Sequence, residues 1–193
     1  MPTTLVTGPV RSGKSRFAES LARASGAAVT YIATARVDAS DAEWSARLAQ
    51  HAASRPAGWR VVETARPGAP RLADLAHAGR AHETLLVESL GTWLADRMAS
   101  HAGAGDPAAV DAAAVEAEMT QAVDALLATP AHAIVVGEEV GWGVVPPYAS
   151  GRLFRDVLGR AHQRFAARAS AAYLVVAGFA IDLNAIGTRV DRA

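Results

Sequence analysis

Cysteine is absent from this 193-residue chain. That excludes disulfides and thiolate zinc sites. No uncharged apolar run approaches the ~18 residues that span a bilayer. The first residues also lack a basic segment followed by a long apolar one. The expectation is a cytoplasmic protein. Charge of either sign is not in excess, with 19 basic and 19 acidic residues. The usual electrostatic argument for nucleic acid or an anionic membrane as partner is therefore missing. Lysine is nearly missing too. Eighteen of the 19 basic residues are arginine, and the one lysine, Lys14, lies inside "GPVRSGKS", residues 8–15. A chain that uses arginine elsewhere keeps a compact ammonium here, on a flexible stem that a planar guanidinium does not imitate.

What is present reads as an ordinary globular protein, 51% apolar and 20% charged. The length suits a single domain over residues 1–193 with a core of its own. Short β-prone runs recur at 3–7, 28–33, 59–63, 84–89, 132–137 and 172–178. Most are apolar on both faces, as strands of a parallel sheet covered on each side must be. Helical patterns fall between and after them at roughly 14–25, 41–53, 70–80, 91–100, 108–128 and 150–170. The alternation predicts an α/β fold with a mostly parallel sheet and helices on both faces. "HAGAGDP" (101–107) reads as the most flexible stretch, with Asp106-Pro107 as a helix start. "WGVVPPYASG" (142–151) reads as a second long loop, stiffened by adjacent prolines and shaped for binding.

The opening motif matches G-x-x-x-x-G-K-S/T through Gly8, Gly13, Lys14 and Ser15, with Pro9, Val10, Arg11 and Ser12 between. It follows a strand and precedes a helix, which is the context the motif requires. Glycines let backbone N–H groups close around phosphate oxygens, and the helix N-terminus adds partial positive charge. Lys14 reaches the β- and γ-phosphates and the Ser15 hydroxyl suits Mg²⁺. Such a loop is commonly accompanied by an acidic strand end that acts on the metal. "TLLVESL" offers Glu88.

Arg47, His51 and Arg55 are spaced by four, so on a helix they share one face about 6 Å apart along the axis. Trp44 and Leu48 form the apolar stripe beside them. Flanking arginines disfavour the imidazolium, and a neutral imidazole is a nucleophile toward phosphorus. Arginines at this spacing also line many solvated faces, so the pattern alone leaves both readings open.

Taken together, "LVTGPVRSGKSRFAE", "YIATA", "ARLAQH…RP…W…E", "LLVESLGTWLAD", "EEVGWGVVP" and "GRLFRDVLGRAHQRFA…YLVVAG" resemble the bifunctional cobinamide kinase/cobinamide-phosphate guanylyltransferases of cobalamin biosynthesis. The resemblance covers about residues 4–178. It implies a P-loop domain of the recombinase type, typically trimeric. It implies phosphorylation of adenosylcobinamide by ATP or GTP with Mg²⁺, then transfer of GMP from GTP through a guanylylated histidine. By position, His51 matches that histidine, Lys14 and Ser15 the phosphate loop, and Glu88 the acidic strand end. Glu63 closes the block that holds His51 and is counted with the nucleotide-binding residues, as are Arg47 and Arg55. Two blocks depart from the family pattern: Glu138 and His162 each stand where asparagine is expected.

His77, His82, His101 and His132 lack clustered partners in sequence and read as surface or structural. His162, with Arg155 nearby, is a secondary substrate-facing candidate. Arg160, Arg164 and Arg168 read as a solvated stripe or a subunit contact. The residues by themselves also suit a simple small-molecule kinase, or a nucleotide-responsive module with no turnover.

Overall fold

The computed structural model describes residues 2–38, 40–53, 55–103 and 106–190, with only the backbone of 106–109. A seven-stranded sheet has the order β3-β2-β4-β7-β1-β8-β9. Its members are β1 (Thr3–Gly8), β2 (Ala28–Ala33), β3 (Arg60–Glu63), β4 (Glu83–Glu88), β7 (His132–Glu138), β8 (Ala171–Val176) and β9 (Phe179–Asp182). All neighbours are parallel except β8 and β9. The helices are α1 (Lys14–Ala24), α2 (Ala42–Ala53), α3 (Leu72–Ala78), α4 (Leu90–Ser100), α5 (Ala112–Ala128), α6 (Ala149–Ala166) and α7 (Leu183–Ile186).

The period-2 pleat divides the strand residues between two cores. Leu5, Leu85, Val87, Ala133 and Val135 pack with buried residues of α3, α4, α5 and α6. Val6, Leu86, Ile134 and Val136 point the other way, against Ala18 and Ala22 of α1. On α6, Val157, Ala161 and Phe165 are core, as their spacing requires. Helix α2 differs from the other long helices in having no buried residue. It lies near the thinner layer, where Arg55, just beyond its end, stacks on Tyr31 of β2 with the guanidinium carbon 4.0 Å from the ring centre.

Three local features differ from the sequence expectations. Asp106-Pro107 does not begin a helix. Asp106–Val110 is a strand, β6, paired antiparallel with β5 (Ala102–Gly103). Asp111 instead caps α5, its carboxylate accepting from Ala114 N–H at 3.0 Å. Both aspartates suit a cap, and strand pairing decides between them. Strand β9 lies beyond the last predicted strand. Its hairpin turn is Ala177-Gly178, with φ of 50° and 83°, the positive pair that a two-residue hairpin uses. The arginine stripe on α6 is not simply solvated: Arg160 pairs with Glu116, and Arg164 and Arg168 both pair with Asp124 of α5. Among the described residues no helix is long and apolar enough to cross a membrane.

Candidate functional site

The C-terminal ends of β1, β4 and β7 lie side by side in the sheet. Parallel α/β sheets bind ligands at this edge, because the loops leaving it are free to diverge. Strand β1 ends at Gly8, and a Cβ built there falls 2.2 Å from the Val175 carbonyl oxygen of β8. Only glycine lets the loop leave the sheet so close to its neighbour. Gly13 precedes α1 with φ 99°, and the left-handed backbone at this cap aims the helix N-terminus into the loop. The Gly178 N–H donates to Ser12 O at 2.9 Å and the Glu139 N–H to Gly8 O at 2.9 Å. The loop is thus tied on both flanks, by the β8–β9 turn and by the residue after β7. Gly8→Ala is expected to destabilise the fold by about 1–3 kcal/mol through backbone overpacking, read as a lowered denaturant midpoint.

Lys14 is buried, and its Nζ donates to Pro9 O at 3.4 Å, folded back over its own loop. The Ser15 hydroxyl donates to Glu88 Oε1 at 2.7 Å, joining the phosphate loop to the end of β4. Burial pushes the Glu88 carboxyl up to about 7; the Ser15 hydroxyl opposes this, Glu138 adds to it, and Lys14 opposes it. Thr34, at the end of β2, accepts from the Ser89 N–H at 2.6 Å and donates to the Ser89 carbonyl oxygen at 2.7 Å. Ser89 and Thr92 form a capping box at the start of α4.

A cleft of about 320 Å³ opens over these groups. Lys14, Ser15, Glu88, Arg47, His51, Arg55 and Glu63 all line it. Gly8, Pro9, Val10, Arg11, Ser12 and Gly13 form the adjoining loop and do not line it. Residues from Lys14 to Glu88, more than seventy positions apart in sequence, therefore converge on one space. Imidazole protonation at His51 is disfavoured first by burial, then by Arg47, with smaller contributions of the same sign from Arg55 and Lys14; Glu19 opposes them. The sequence reading named the arginines, whereas burial is the larger cause.

Sequence reasoning missed several members of this cleft. Tyr31 and Thr92 line it; both lie in blocks that resemble the family, but neither was given a role. Glu138, singled out in the sequence as a departure from the family pattern, lines it as well. Its carboxylate accepts from Ser89 Oγ and from the Gly91 N–H, the latter at 2.9 Å, at the N-terminus of α4. The signal for Glu138 was its place at the C-terminal end of a strand neighbouring β1. His162 does not face the cleft. Its ring packs on Gly137, where an added Cβ would fall 2.0 Å from Nε2, and burial lowers its pKa. Arg155 holds the carbonyl oxygens of Gly141, Gly143 and Val144, and Arg152 those of Pro146 and Pro147. The loop at 142–151 is thus shaped, as expected, but it stands outside the cleft. Of the other histidines, His101 pairs with Glu118 and His132 meets the Thr4 hydroxyl.

A strand–glycine loop–helix beside an acidic strand end, in a mostly parallel sheet, defines a P-loop nucleotide-binding protein. The model of the family described as cobinamide kinase / cobinamide phosphate guanyltransferase matches residues 4–183, and the chain belongs to that family. Among curated relatives, the Escherichia coli (strain K12) protein named "Bifunctional adenosylcobalamin biosynthesis protein CobU" is 38% identical over 93% of this chain and 98% of its own. The Pseudomonas aeruginosa protein named "Bifunctional adenosylcobalamin biosynthesis protein CobP" is 40% identical over 93% of this chain and 96% of its own. A solved structure of the P4 protein from bacteriophage phi6 in complex with ADP matches with a TM-score of 0.43 and 16% identity, over 93% of this chain and 54% of that one.

Proposed function

We propose that this chain is a bifunctional enzyme that phosphorylates adenosylcobinamide and then transfers GMP from GTP to the product, with His51 as the guanylyl acceptor. The observation that carries the reading is the meeting of Lys14, Ser15, Glu88 and His51 on one cleft. Family membership supplies the substrates.

In the kinase step the loop amides and Lys14 hold the triphosphate and stabilise charge on the transferring γ-phosphoryl. Lys14 must leave Pro9 O to do so, a small change for a flexible stem. In the second step the neutral ring of His51 attacks the α-phosphorus of GTP, an N–P bond forms, and the bond to the pyrophosphate leaving group breaks. The phosphate of the cobinamide phosphate then displaces the histidine nitrogen, and GMP is transferred. Covalent catalysis divides one displacement into two and lets the enzyme keep GMP while substrates exchange. Arg47 and Arg55 flank His51 and suit contacts to the nucleotide phosphates.

Ser15 and Glu88 offer hard oxygen donors at one point of the cleft, which fits Mg²⁺. Among the described residues no group of three or more His, Asp or Glu is clustered for a metal ion. That suits an ion whose remaining ligands are phosphate oxygens and water. When bound, it neutralises phosphate charge. Glu88 would then be held ionised by the cation, in spite of the burial that raises its pKa. A homotrimer and a cytoplasmic location complete the reading, on the family resemblance.

The pH dependence follows from His51. Its protonated form has no lone pair to attack with, and its pKa lies below the ordinary 6.5. Self-guanylylation is expected to quicken as pH rises from about 5 and to level off by about 7. Rapid-quench measurement of α-phosphate label from GTP checks this, and a rate that falls over that range contradicts a neutral nucleophile. Incubating the protein with cobinamide and GTP, with products read by mass spectrometry, tests the whole reading. A simple kinase gives cobinamide phosphate without the GMP-transfer product. A binding module gives neither.

A further inference from the structure

Helix α2 carries His51 but has no fully buried residue, so contacts outside the two cores help to hold it in place. Its N-terminal turn is joined to the segment before it. Trp44 Nε1–H donates to Arg36 O at 2.8 Å, Ser45 Oγ to Asp38 O at 2.9 Å, and Trp44 N–H to Asp41 Oδ1 at 2.8 Å. That segment is itself exposed at Asp38, Ser40 and Asp41. It reaches the body of the protein through Arg36, whose Nε lies 3.2 Å from Asp96 Oδ1. Asp96 sits on α4 with its side chain 4% exposed, and its other oxygen pairs with Arg97 at 2.5 Å. At the far end of α2, Arg55 stacks on Tyr31. Two arginine contacts therefore flank the histidine helix, one before it and one just beyond its end.

We propose that the Arg36–Asp96 ion pair is a positioning device for guanylyl transfer, holding the N-terminal end of α2 so that His51 faces the nucleotide. The proposal rests on the reading of His51 as guanylyl acceptor. Neither Arg36 nor Asp96 touches the reacting atoms. Asp96 acts through Arg36, then through the Trp44 and Ser45 bonds, and then along seven residues of helix, about 10 Å from Trp44 to His51. Lys14, Ser15 and Glu88 lie on β1–α1 and β4 and do not depend on this path. Asp96 Oδ1 is buried and has no hydrogen-bond partner, so the Arg36 guanidinium beside it supplies the opposite charge at that oxygen, and removing it leaves the oxygen buried without a cation.

The pair therefore separates the two activities. Arg36→Ala and Asp96→Asn are each expected to slow uptake of α-phosphate label by about 10–100-fold, the scale at which ångström misplacement acts. Phosphorylation of cobinamide should stay within about twofold, since the phosphate loop is untouched. The double variant should lose no more than the worse single one, because both remove the same contact. Arg36→Lys, which keeps the charge, should restore a substantial part of the rate. Arg97→Ala, which takes away the other neighbour of Asp96, should leave labelling unchanged. Backbone amide exchange over residues 42–53 gives a second readout that needs no chemistry, and it should quicken in Arg36→Ala. Should wild-type protein take up no label, the His51 reading fails, and the exchange measurement alone then judges the anchor. Unchanged exchange overturns the proposal. So does equal loss of both activities, or a double variant that loses the product of the two single effects.

Discussion

His51→Ala is expected to lose transfer of GMP to cobinamide phosphate by at least about 10⁴-fold, the scale of removing a covalent nucleophile. Phosphorylation of cobinamide is expected to stay near the wild-type rate. The asymmetry comes from where the ring stands. It lines the same cleft as Lys14 and Glu88, but from α2, a helix whose residues are at most partly buried. Truncating it removes the lone pair that attacks phosphorus and leaves the loop, Ser15 and Glu88 in place. Fold stability is expected to change little for the same reason. Separate assays of the two half-reactions, with a melting curve, decide the matter. Equal loss of both activities at unchanged stability would mean that His51 binds nucleotide generally and is not the acceptor.

Lys14→Ala has the opposite signature. It is expected to depress both activities by about 10²–10³-fold, the scale of removing one donor aimed at developing phosphate charge. On the proposed reading both reactions hold a triphosphate on this loop, so neither escapes. Lys14→Arg should be nearly as damaging. The site is closed by the Gly8–Val175 approach and by the Ser12 and Gly178 bond. A guanidinium is wider than the ammonium, and it does not fold back over the loop as Nζ does toward Pro9 O. This outcome explains why an arginine-rich chain keeps a single lysine at this position. Kinetic constants for both steps, with nucleotide affinity measured separately, check it. Near-normal turnover in Lys14→Arg would remove the account of that lysine.

The parallel sheet was readable because its strands are apolar on both faces and separated by helices of ordinary length. Leu85 and Leu86, or Ile134 and Val135, serve opposite cores from adjacent positions. The phosphate loop was readable because its chemistry is local: glycines, lysine and serine act within eight residues. His51, Arg47 and Arg55 were visible as a helical stripe, but nothing in their spacing said which way the stripe faced. The fold answers that: all three line one cleft, with Arg55 stacked on Tyr31 of β2. Glu138 and the β5–β6 hairpin were harder. Glu138 became part of the cleft wall through pairing of β7 with β1 and through bonds to Ser89 and Gly91, two non-local events. Asp106-Pro107 carried a legitimate helix-start signal that strand pairing overrode. His162, a secondary substrate-facing candidate in the sequence, packs on Gly137 because its helix turns that face toward the sheet.

The central claim is that one cleft grips the triphosphate tail with Lys14 and presents the neutral ring of His51 to the innermost phosphorus. The most direct test is to incubate wild-type protein with GTP alone, without cobinamide, and to map the modified peptide by mass spectrometry under alkaline conditions that preserve a phosphoramidate. The account predicts a single GMP group on residue 51. A GMP group on any other residue, or an unmodified protein that still transfers GMP to cobinamide phosphate, would contradict it.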